Sequence, residues 1–109
     1  MKYMMFVCTD TEPETDTSKV PTIDQWVADN DASGRRVEGS VLGAPTTVRV
    51  RGGELLLTDG PFAETKEVIA GFDIIECADL DEAIEVATKH PMAWAGMIEL
   101  RPFWPDDED

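Results

Sequence analysis

Apolar residues in this chain fall into short persistent runs, one alternating stretch and one stretch at helical spacing. Tyr3 to Cys8 joins aromatic, Met and β-branched residues without a polar break, which predicts a strand buried on both faces. The acidic Thr- and Pro-bearing segment Asp10 to Asp16 reads as a loop. Thr22 then offers an N-cap, with Asp24 and Gln25 in the first turn, for a helix over about Ile23 to Arg36. Ile23, Trp26 and Val27 give that helix a short apolar face packed mainly by Trp26, and Gly34 is its natural stop. Val37 to Leu42 is a strand interrupted by Gly39. Thr46 to Arg51 alternates, Gly52-Gly53 turns, and Glu54 to Thr58 returns, a β-hairpin signal. Phe72 to Cys77 is a further core strand. Asp79 and Glu82 have capping-box spacing, with Leu80, Ala83, Ile84 and Ala87 on the inner helix face, Val86 and Thr88 flanking it, and Pro91 ending it. Gly96 to Arg101 closes the chain as a strand with Ile98 and Leu100 towards the helices and Met97, Glu99 and Arg101 opposite.

That order predicts an α+β, ferredoxin-like fold: βαββαβ with an inserted β-hairpin, its helices on one face of an antiparallel sheet. The first and third core strands become neighbours. The uncovered face is expected to carry Met97, Glu99 and Arg101 together with Asp73, Ile75 and Cys77, and its partly apolar character invites dimerisation. Residues 1–105 form one domain and 106–109 an acidic tail.

The net charge of −14 over 109 residues changes the choice of partners, because such a field repels phosphate backbones and anionic lipid. Neither nucleic acid nor a membrane is expected. No secretory leader or membrane span is read, so the cytoplasm is the expected compartment. Cys8 and Cys77 read as buried free thiols, with a disulfide open if their strands prove adjacent. With one histidine and no close-spaced ligand pattern, neither metal nor cofactor is expected.

Candidate chemistry concentrates in Thr58-Asp59-Gly60-Pro61-Phe62-Ala63-Glu64-Thr65-Lys66-Glu67. Asp-Gly-Pro makes a sharp bend, and Asp59 is either a general base or a turn residue bonding its own backbone. Lys66 can hold an anion or pair with Glu64 or Glu67 at the surface. Arg101 with Glu99 can orient a carboxylate ligand or form an ion pair between strands or subunits. His90 reads as a cation at a helix C-terminus, and Trp94 and Trp104 as core or interface residues.

The same stretch, followed by Gly71-Phe72 and by Asp79-Leu80-Asp81-Glu82-Ala83, resembles the YCII-related family in its DGPF branch. Ile98-Glu99-Leu100-Arg101-Pro102 and Met1-Lys2-Tyr3-Met4 extend the likeness over nearly the whole chain. The resemblance implies a ferredoxin-like fold of the dimeric α/β-barrel type, with a cavity between sheet and partner. Relatives have a proposed Asp and His acid–base pair, whose Asp carries over onto Asp59; their first-helix His has no counterpart here. A few relatives look like small-molecule lyases, and genes of the branch often neighbour sigma factors. Two functions are therefore expected. One is a small-ligand-binding or regulatory cytoplasmic homodimer with its pocket near Asp59. The other is a cofactor-free lyase or proton-transfer enzyme with Asp59 as acid–base group, where Glu64, Thr65 and Lys66 orient a polar or anionic substrate.

Overall fold

Strand β1 (Lys2–Thr9) lies inside the main sheet, as its unbroken apolar run requires. The computed structural model describes residues 1–60 and 68–104. After β1 come α1 (Ile23–Ser33), β2 (Arg36–Val41), β3 (Thr46–Arg51), β4 (Glu54–Asp59), β5 (Ile69–Glu76), α2 (Leu80–Thr88), a single turn α3 (Met92–Ala95) and β6 (Gly96–Pro102). The four-stranded sheet runs β2-β5-β1-β6 with every pairing antiparallel, an α+β arrangement compatible with the ferredoxin-like expectation. Strands β3 and β4 form a separate two-stranded ribbon. Its turn is Gly52-Gly53, whose φ values of 58° and 80° suit the type I′ geometry that glycine adopts without strain.

The helices start where the side chains allow. Thr22 Oγ1 accepts from the Gln25 N–H at 3.2 Å, and Gly34 closes α1 at φ 78°. Asp79 Oδ1 accepts from the Glu82 N–H at 2.9 Å, while Glu82 reaches back to the Ala78 N–H at 2.7 Å.

Register decides which side chains form the core. Tyr3 pairs with Ile75, Met5 with Asp73 and Leu100, and Val7 with Gly71 and Ile98. Tyr3, Met5, Val7, Ile75 and Cys77 pack against Trp26 of α1 and Ala83, Val86 and Ala87 of α2, with Ile98 and Leu100 beside them. Two expectations change here. Asp73, Ile75 and Cys77 lie on the helix-covered face, since Ile75 opposes the buried Tyr3, and Phe72 and Ile74 take the open face instead. On α2 the buried set is Ala83, Val86 and Ala87, with Leu80 and Ile84 exposed, so the helix is rotated from the predicted stripe. Strands β1 and β5 are adjacent, yet Cys8 pairs at the Ile69 end and Cys77 follows the Lys2 end, so both thiols are buried and free.

Among the described residues no helix is long and apolar enough to cross a membrane.

Candidate functional site

Strand β2 begins with Arg36 and is irregular between Arg36 and Glu38 before Gly39 pairs with Asp73. The Arg36 guanidinium folds back over the sheet, its Nε donating to Asp73 Oδ1 at 2.8 Å and its Nη1 to Asp31 Oδ1 of α1 at 3.1 Å. A Cβ at Gly39 would collide with Asp73 Oδ1 and lie 2.9 Å from Arg36 Nη2, so the missing side chain is the space the ion pair occupies. Asp73 is 6% exposed. Burial pushes its carboxyl up, against the opposing pull of Arg36, while the hydrogen bond to Asp73 raises the guanidinium.

His90 lies just beyond α2 and is 4% exposed. Its Nδ1 accepts the Met92 N–H at 3.0 Å, and its ring stands edge-on to Trp26 with centroids 4.7 Å apart. Burial lowers its pKa to about 4, so the imidazole is neutral near pH 7. With Nδ1 accepting, the ring proton sits on Nε2 and makes that nitrogen a donor. This corrects the reading of His90 as a helix-end cation: a charged imidazole gains from the helix dipole, but here desolvation outweighs it.

Arg36, Asp73 and His90 line one cavity of about 310 Å³, walled otherwise largely by apolar groups such as Val7, Ile23, Val27 and Met92. That is the lower end of small-molecule sites, and the pattern of apolar walls with few polar groups is theirs as well. A guanidinium between two carboxylates leaves the neighbourhood with one net negative charge. A second hollow of about 230 Å³ between α1 and α2 is more polar, lined by Asp29, Arg35, Glu85 and Lys89 among others.

The residues singled out from sequence lie elsewhere. Asp59 ends β4, exposed and paired with Thr46. Behind it Gly60 takes φ 101°, its N–H donating to the Pro45 carbonyl and its own carbonyl accepting from Thr47 Oγ1, both at 2.9 Å. Neither cavity includes Asp59 in its wall. Glu64, Thr65 and Lys66 fall outside the described residues. Glu99 and Arg101 form an exposed ion pair along β6, on the opposite sheet edge from β2, and are not brought near Arg36. The sequence reading passed over Arg36 and Asp73. Two signals pointed to them: Asp73 is a charge enclosed by Phe72 and Ile74-Ile75 within a largely apolar strand, and Gly39 sits mid-strand, where a close approach is expected.

Residues 1–106 match the family model of the YCII-related domain. A 61-residue stretch is 48% identical to an uncharacterized protein of Rhizobium meliloti (strain 1021), covering 54% of this chain. The chain spans about half the length of that curated relative, 49%.

Proposed function

This chain belongs to the YCII-related domain family, and we propose that it is a cytoplasmic homodimer of the dimeric α/β-barrel type that binds a small, mostly apolar molecule beneath α1. The observation that carries this reading is the Arg36, Asp73 and His90 cluster in an otherwise apolar cavity of about 310 Å³. The charge balance favours a neutral ligand over an anionic one. A hydroxyl suits either polar group of the wall, donating to the Asp73 carboxyl or accepting from His90 Nε2.

The probes are p-cresol, toluene and benzoate, followed by thermal melting. Binding of p-cresol at 100 times its dissociation constant adds about 2.7 kcal/mol of stability. The expected order is p-cresol above toluene above benzoate, with His90→Phe narrowing the gap between p-cresol and toluene. Equal shifts for all three, or none, overturn the reading.

The enzymatic alternative draws on the same cluster. Asp73, held by Arg36, and the neutral imidazole donor of His90 line the same cavity, and supply a group to take a proton and a group to hydrogen-bond a developing oxyanion. Asp59 stays a second proposed acid–base residue in this reading. Any turnover should fall at least ~100-fold in the variant of whichever aspartate carries the proton, Asp73→Asn or Asp59→Asn.

A further inference from the structure

The β3–β4 ribbon packs substantially only on itself among the described elements. Its register sets Val48 opposite Leu57 and Val50 opposite Leu55, so these four side chains share one face. They are 62%, 63%, 58% and 62% exposed respectively, a contiguous apolar strip on a two-stranded ribbon, which on its own is marginal in water. The shape of the chain agrees with a projecting element. Its radius of gyration is 16.2 Å, where a compact domain of this length has about 13 Å.

We propose that this ribbon is a dimerisation arm whose Val48, Val50, Leu55 and Leu57 face lies on a second copy of the chain. The arm's own neutrality suits a surface that is equally neutral and apolar, such as the same arm of a second copy. Arg49 and Arg51 balance Glu54 and Asp59, so the arm is neutral and the net charge of −14 resides on the rest of the chain. Two bodies of like charge repel, and the arm is an apolar surface that adds no net charge of its own to the contact and works against that repulsion. The areas are adequate. Four such side chains offer on the order of 250 Å². Reciprocal exchange across a two-fold axis, with the surfaces covered in return, gives roughly 1,000 Å², the threshold of a specific interface.

The inference rests on the homodimer part of the proposed function, and the test separates the two. Sedimentation equilibrium of the full chain should show a dimer, and the double variant Val50→Asp/Leu55→Asp should raise its dissociation constant at least 100-fold with an unchanged far-UV spectrum. A variant dimer as tight as the parent overturns the arm and leaves the dimer standing. A monomeric parent overturns both. Should the variant not fold, a photo-crosslinking residue at Leu57 in the otherwise unaltered chain decides: a covalent dimer is expected. Crosslinks confined to a single chain, or made only to an added cell lysate, refute the proposal. Binding of p-cresol is scored independently of every one of these outcomes.

Discussion

Gly39 is the residue on which the polar half of the cavity depends, because its absent side chain is where Asp73 meets Arg36. Gly39→Ala should force the carboxylate off the guanidinium and lower stability by about 2–3 kcal/mol, read as a fall in urea midpoint at unchanged slope. A mid-strand glycine elsewhere would cost far less to replace, so the size of the loss tests the ion pair. His90 makes a prediction of opposite character. Its folded pKa of about 4 lies below the ordinary value of 6.5. The unfolded chain therefore takes the proton first as pH falls. The stabilisation is whole above the ordinary pKa and is lost progressively on descending towards the folded one, by on the order of 2–3 kcal/mol. Asp73, whose carboxyl is raised, acts with the reverse sign in the acid range, so the parent curve alone is mixed. The difference between the parent and His90→Gln, measured by urea melts at several pH values, isolates the imidazole: the gap should shrink from neutral pH towards the acid end. Sequence made the helix-end position of His90 visible. Its burial was not visible, because that depends on how Trp26 from another helix meets it.

At the scale of elements, Trp26 joins the two helices. Its ring is buried in the core, and its Nε1–H donates to the Val86 carbonyl of α2 at 2.9 Å. Trp26→Phe keeps most of the apolar bulk but leaves that carbonyl only the longer bond from the Lys89 N–H at 3.3 Å, at a cost of about 1 kcal/mol. Trp26→Ala also empties the space and should cost about 3–5 kcal/mol. Thermal or urea unfolding gives both numbers, and near-equal losses would mean that the hydrogen bond, and not the packing, carries the contact. Much of this level was legible. Thr22, Gly34 and Asp79 cap the helices as local chemistry dictates, and Trp26 anchors α1 as read. The rotation of α2 was not, since Leu80, Ile84 and Val86 are alike in polarity and only the shape of the sheet beneath chooses among them. The parity of β5 failed for a related reason. A charged residue was placed outside, whereas Asp73 is carried inside by Arg36, a partner 37 positions away. The turn α3, four residues long, is too short to show any periodicity.

For the whole molecule the strand order followed from counting elements, but the cavity did not, because its polar groups come from β2, β5 and the end of α2. Nor did alternation in β3 and β4 reveal that their apolar face is left uncovered in the single chain. That exposed face and the net charge of −14 together predict how association responds to salt. Were the two copies held by ion pairs, raising ionic strength from about 0.01 M to 1 M would loosen them, since the screening length falls from about 30 Å to 3 Å. With neutral apolar arms and like-charged bodies, the same screening removes repulsion and leaves the attraction intact. The proposed dimer should therefore tighten, by about 10-fold or more across that range. Sedimentation at the two salt concentrations reads the sign directly. A dissociation constant that rises with salt would mean that charge holds the copies together, and an apolar arm could not then be the principal contact.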